Sequence, residues 1–167
     1  MSAMESFLSE IEMEAPATRA MLERVPAENL EWRPHEKSMT LGELALHVAG
    51  TPGEVAGLLH LDEIPPPDFG SNPQPRSVQE ILDAYEESLA AAKRTLAAMD
   101  DEEAMKPFRV VDDGRELMSM PKVAVVRAIL LNHWYHHRGQ LSVYLRLLEV
   151  PVPATYGASA DENPMAG

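Results

Sequence analysis

Val78, Leu82, Tyr85, Leu89, Ala92, Leu96 and Met99 recur at alternating steps of four and three. A helix turning about 100° per residue brings that spacing onto one stripe, so the segment must be a helix that buries one side. Tyr85 is the stripe's one titratable group, which makes packing its role. Such a stripe needs partners, and the chain supplies three more. Ser2-Ala-Met-Glu5 has capping-box spacing and precedes Phe7, Ile11, Glu14 or Ala15, Thr18, Met21 or Leu22 and Val25, a stripe that Glu14 and Thr18 weaken. Pro16 predicts a kink there, and Pro26 to Pro34 ends the helix. Thr40-Leu-Gly-Glu43 is a second capping box, followed by Leu41, Leu44, Ala45 and Val48 on one side. Gly50-Thr-Pro-Gly53 interrupts it, predicting a kinked helix to about Leu61. Ser77-Val-Gln-Glu80 is a third box. Pro121, with Ser119 or Met120 as cap, starts the fourth long helix, Val123 to Leu148, and Pro151-Val-Pro153 stops it.

The connections fix the class. Asp62 to Arg76 is proline-rich and cannot be helical, so it reads as a long surface crossover, able to join two parallel neighbours. Phe108-Arg-Val-Val111 and Arg115-Glu-Leu-Met-Ser119 flank Asp112-Asp-Gly114, which predicts a two-stranded hairpin lying against the helices. Asp100 to Glu103 reads as a solvated helix end. The expected fold is all-α, a four-helix bundle over 1–150 with that crossover and hairpin, followed by an extended or frayed tail at 151–167. Trp32-Arg-Pro34 is an aromatic anchor, either a lid over the bundle's end or a substrate contact.

Charge and composition narrow the function. Fourteen Lys and Arg against 27 Asp and Glu give the 167-residue chain a formal charge of −13, which repels phosphate backbones and argues against nucleic acid as a partner. The chain contains no cysteine, so any thiol in its chemistry comes from outside. No apolar run approaches the roughly 18 residues of a membrane helix and no leader pattern is visible, so a cytoplasmic protein is expected.

The chemistry lies in His133-Trp-Tyr-His-His-Arg-Gly-Gln140. His133 and His137 are four apart and share a helix face with Val126, Ile129, Leu130, Gln140, Tyr144 and Leu148, so they are expected to point into the core. Two inward imidazoles on adjacent turns are either satisfied core histidines or metal ligands. The catalytic glutamate of H-E-x-x-H is missing. His47 lies on the flank of the second helix's stripe and could turn either way, whereas His60, beside Asp62, reads as solvated. Axes in a bundle lie about 8–10 Å apart, so an inward His47 can reach an ion held by the other two. Three imidazoles at about 2.0–2.1 Å leave a coordination position open, as in catalytic zinc sites.

Met39-Thr-Leu-Gly-Glu-Leu-Ala-Leu-His-Val48, His133 to Gln140 and Pro151 to Glu162 together resemble the DinB-like (DinB/YfiT) superfamily, over nearly the whole chain. The resemblance implies an up-down-down-up four-helix bundle, often a homodimer, with a metal held by His47, His133 and His137. It further implies a thiol-dependent S-transferase or isomerase acting on small electrophiles with an external low-molecular-weight thiol. The alternatives are a metal-dependent hydrolase and a non-catalytic, metal-binding stress-response bundle. Zinc or nickel is the expected divalent ion, since imidazole suits several metals. No catalytic residue beyond the ligands is assigned. Gln140 and Tyr144 either hydrogen-bond a ligand or substrate or simply pack. His136 reads as a surface residue, with proton shuttling as the alternative, and Arg138 is expected to face away and pair with a helix end or an acidic neighbour.

Overall fold

Two reciprocal caps start the first two long helices. In a computed structural model, which describes residues 2–68, 70 and 72–165, the Ser2 hydroxyl accepts from Glu5 N–H while the Glu5 carboxylate accepts from Ser2 N–H, opening α1 (Ala3–Leu22). Thr40 and Glu43 open α2 (Leu41–Leu58) in the same way, and α2 stops short of the expected Leu61. The third cap is one-sided. Ser77 accepts from Glu80 N–H, but the Glu80 carboxylate takes the Arg76 N–H instead, at the start of α3 (Val78–Ala98). Pro16 and Pro52 lie inside α1 and α2 without ending them.

The crossover is more than a loop. Within it β1 (Glu63–Ile64) pairs parallel with β2 (Pro107–Asp112), which pairs antiparallel with β3 (Arg115–Pro121), so the expected two-stranded hairpin is part of a three-stranded sheet. Asp113 and Gly114, at φ of 46° and 80°, make the tight turn, a conformation that matches the strands' right-handed twist. Residues 69 and 71 of the crossover and 166 and 167 of the tail lie outside the described residues.

The acidic run is also more than a solvated end. Asp100 caps a short helix, α4 (Asp101–Met105), and Glu103 from that helix joins Asp62 in holding Lys122, which has no exposed surface. Burial alone would strip the charge from Lys122, but its hydrogen bonds to Glu103 and Asp62 outweigh burial and raise its pKa. Three distant segments therefore meet at one ammonium, which fixes where the last helix begins.

That last helix starts with α5 (Lys122–Val125), widens into a π-helical segment (Val126–Leu131) and continues as α6 (Asn132–Leu147). Pro121 is the cap itself; Ser119 and Met120 belong to β3. The widening corrects the expected face. Val126 and Leu130 are buried as the spacing predicts, but beyond them the buried positions are Leu131, Trp134, Arg138, Leu141 and Leu145, while His133 and His137 are only partly buried. The stripe has slipped by one residue, the consequence of inserting one residue into a helical turn.

The long helices pack through specific contacts. α2 and α3 run the same way, with Gly42 beside Pro75 and Gly53 against Ser88, whose hydroxyl accepts from Gly53 N–H and donates to the Gly50 carbonyl. α2 and α6 run oppositely, with His47 facing His133 and Met39 facing Tyr144. α1 meets α3 where the Tyr85 hydroxyl donates to the Ala15 carbonyl, and meets the last helix where Arg127 forks onto Glu10. The two weak positions of the first stripe are explained by Arg138, which pairs with Glu14 at 2.6 Å and donates to Thr18 at 2.9 Å. The tail through 165 has no regular structure, yet it is tied down: Tyr156 bonds Arg138 and Glu14, Glu162 pairs with Arg24, and Asp161 pairs with Arg146. Among the described residues no helix is long and apolar enough to cross a membrane.

A Cβ at position 53 would lie 2.6 Å from the Ser88 Cα, so glycine is what lets α2 and α3 touch there. Gly53→Ala gains about 1 kcal/mol of helix propensity but costs about 1–3 kcal/mol in overpacking and loosens two hydrogen bonds worth about 1 kcal/mol each. The expected outcome is a net loss of about 2 kcal/mol in denaturant unfolding. An unchanged midpoint would show that the contact is not tight.

Candidate metal centre

The site begins with a missing N–H. Pro52 has no backbone donor, so the Val48 carbonyl one turn earlier loses its helical partner. The buried Trp134 indole N–H donates to that carbonyl at 3.0 Å. This bond sets the height of α6 against α2, and the adjacent residues, His47 and His133, are thereby brought face to face.

The three histidines converge. His47 Nε2 and His133 Nε2 are 2.9 Å apart, and the ring centroids lie 5.1 Å (47 to 133), 4.5 Å (47 to 137) and 4.3 Å (133 to 137) from one another, each pair edge to face. One nitrogen from each ring lies within 4.8 Å of the other two, so the group could hold a metal ion. Nitrogens around a tetrahedral ion at about 2.1 Å stand about 3.4 Å apart, so little movement separates this arrangement from a coordinating one.

Electrostatics favours the neutral, lone-pair-bearing rings that a cation requires. Burial, then the neighbouring His137, lowers the His47 pKa to about 4. Burial lowers His137 to about 4 as well, against the opposing hydrogen bond from Gln140 and with His133 and His136 adding to the fall. His133 is lowered by burial and by His47 and His136. Gln140 decides the tautomer of His137. Its Oε1 lies 2.6 Å from His137 Nδ1 and accepts that N–H, which leaves Nε2 with its lone pair.

Other residues singled out from sequence divide. Gln140 reaches the site, though from an exposed position. The Tyr144 hydroxyl instead donates to the Met39 carbonyl at 3.3 Å, and its ring meets Trp32 edge-on at 5.7 Å, so Trp32 closes this end of the α2–α6 groove as a packed lid. His136 is exposed, its ring 4.9 Å from that of His137. Arg138 faces away from the histidines and pairs with acidic Glu14, as expected. His60 is exposed. Sequence reasoning missed Trp134. The available signal was Pro52, which leaves an acceptor one turn back, together with an indole beside a candidate ligand.

The DinB family profile matches residues 1–164. The chain belongs to the DinB family. An uncharacterized protein, YrdA of Bacillus subtilis (strain 168), is 29% identical over 160 residues, covering 95% of this chain and 91% of that protein. The crystal structure of a DinB-like protein from Bacillus cereus ATCC 10987 superposes with a TM-score of 0.70 at 27% identity, covering 91% of this chain and 97% of that one. A DinB-like protein of Bacillus subtilis, YjoA, superposes at 0.68 with 17% identity, over 90% and 96% of the two chains, and speaks for the fold alone.

Two outcomes follow from the site. Trp134→Phe leaves the Val48 carbonyl buried and unpaired, a loss of about 1–3 kcal/mol in denaturant unfolding. Adding Pro52→Ala restores a helical N–H to that carbonyl, so the double variant should lose less than the two single losses summed; strict additivity would refute the pairing. Gln140→Ala should weaken zinc binding about 10–100-fold by competitive chelator titration while leaving the fold intact. Unchanged affinity would remove Gln140 from the site.

Proposed function

We propose that this DinB-family chain is a metal-dependent enzyme in which His47, His133 and His137 hold one divalent ion, zinc or nickel, and that it works as a thiol-dependent S-transferase on small electrophiles. The observation that carries the reading is the meeting of three neutral ring nitrogens within 4.8 Å. The donor set fits such an ion, since three imidazoles satisfy three positions and leave at least one open. When bound, the ion supplies a Lewis acid that lowers the pKa of a coordinated thiol and so yields thiolate at neutral pH.

The chain's own residues prepare that chemistry. Burial keeps the three rings unprotonated at neutral pH, and Gln140 holds the His137 ring in the required tautomer. The slip of the α6 stripe leaves both of its histidines at the groove's edge, beside exposed His136 and Gln140, where a small molecule can enter. The absence of cysteine fits an external thiol. On this reading the four long helices are an up-down-down-up bundle spanning 1–150, supported by the parallel α2–α3 contacts and the antiparallel α2–α6 contacts, with 151–167 as its tail. The protein would act as a cytoplasmic homodimer on small molecules, and its charge of −13 supports excluding nucleic acid.

The test is thiol addition to monochlorobimane by protein loaded with zinc or nickel. The rate should exceed background and fall to background in His133→Ala, with elemental analysis showing metal in the parent protein and its loss in His47→Ala. Stoichiometric metal without acceleration, across several thiols, would leave a metal-binding protein that is no S-transferase. Ester hydrolysis under the same conditions would point to a coordinated water rather than a thiol. No metal at all would end the reading.

A further inference from the structure

The closing segment, 151–162, contributes no histidine to the metal centre and has no helix or strand, yet its shape is set. Arg24, just past the end of α1, grips both of its ends, donating to the Pro151 carbonyl at 3.1 Å and pairing with Glu162 at 2.5 Å. Within the segment Glu162 accepts from Ala154 N–H at 3.1 Å, Asp161 accepts from Val152 N–H at 2.9 Å and pairs with Arg146, and the Ser159 hydroxyl donates to the Val152 carbonyl at 2.7 Å. The result is a closed loop with Tyr156 near its middle.

Tyr156 does not serve the core, since it is 73% exposed. Its hydroxyl accepts from Arg138 Nη2 at 2.6 Å and donates to Glu14 Oε2 at 3.0 Å, while the same Arg138 nitrogen donates to that Glu14 oxygen at 2.6 Å, which closes a triangle of three hydrogen bonds. The central carbon of the guanidinium also lies 5.2 Å from the ring centroids of both Tyr156 and Tyr135. The other terminal nitrogen of Arg138 donates to Thr18 Oγ1 at 2.9 Å and the Glu14 carbonyl at 3.3 Å. Helix α1 and the closing loop thus hold between them a charge that is only 2% exposed.

From this arrangement we propose that residues 151–162 form a clasp on the metal centre, with Tyr156 as a positioning residue that acts through Arg138 on His137. Arg138 follows His137 in the chain, and its side chain leaves α6 toward α1 while His133 and His137 meet His47 on α2. A turn of α6 about its axis that carries Arg138 out of its cage therefore swings both histidines away from His47. Side-chain ends stand about 5–6 Å from a helix axis, so a turn of about 10° moves them about 1 Å. That exceeds the roughly 0.5 Å within which a binding constellation must be held. The Trp134 bond sets the height of α6, and the clasp adds its rotation. The inference rests on the metal part of the reading above and is independent of the thiol chemistry.

Competitive chelator titration with zinc, together with the visible spectrum of the cobalt-loaded protein, tests this without relying on turnover. Tyr156→Phe keeps the ring and removes the hydroxyl, whereas Arg24→Ala frees both ends of the loop and leaves Arg138 and the histidines unaltered. Each is expected to weaken zinc binding about tenfold and to shift the cobalt absorption bands. The double variant should lose less than the product of the two factors, because both changes release one clasp. Ser2→Ala removes the α1 cap and so lowers stability without touching the clasp; it should match the parent in affinity and spectrum. Unchanged affinity and spectrum in both clasp variants overturns the proposal while the metal reading stands. An equal loss in Ser2→Ala also overturns it, by tracing the effect to stability alone. A parent protein that takes up neither zinc nor cobalt overturns both readings.

Discussion

The bond from the Trp134 indole to the Val48 carbonyl is the constraint on which the rest of the site depends. It exists because Pro52 withholds the N–H that would otherwise close the helix. A buried carbonyl without a donor is costly, and a buried indole without an acceptor is costly too, so each element removes the other's penalty. That mutual need locks α2 and α6 at one height. His47 and His133, the residues just before the two partners, then stand 2.9 Å apart at their Nε2 atoms.

Above this lock the last helix is oriented by charge rather than by apolar packing alone. Lys122 at its start, Arg127 one turn on and Arg138 beyond the histidines each reach an acidic partner on another element: Glu103 and Asp62, Glu10, and Glu14. Lys122 and Arg138 are almost wholly buried. Such pairs add little net stability compared with a hydrophobic core, but a mispaired helix would strand them uncompensated. Their effect is therefore on rotation and register. Together with the π-helical turn they place Arg138, not His137, toward α1, and leave the histidines facing α2 at the groove's edge.

Much of this was legible beforehand. The four-three spacing of 78–99, the capping boxes at Ser2 and Thr40 and the turn at Asp113-Gly114 each act through neighbours in sequence, and the structure follows them. That His47, His133 and His137 could meet was legible by spacing and by resemblance, and the structure brings the three together. Hidden from sequence were the one-sided cap at Ser77, where Arg76 N–H competes for Glu80, the pairing of β1 with β2 across the crossover, and the meeting of Asp62, Glu103 and Lys122. Each of these is a contact between segments far apart in the chain. Glu14 and Thr18, which interrupt the apolar stripe of α1, are the partners of Arg138 from the last helix.

The amino-acid sequence by itself determined which four long segments are helical, where most of them start, that the protein is acidic and cysteine-free, and that His47 and the His133–His137 pair come from two separated helices. Those properties follow from local backbone geometry and side-chain chemistry. Tertiary structure alone decided which way the imidazoles face. Uniform helical spacing puts His133 and His137 in the core, whereas the widened turn at Val126–Leu131 hands the core to Trp134 and moves the histidines to the rim. A π-turn has no spacing signature of its own, because the extra residue is tolerated only where contacts with other elements make the displaced register the better packed one.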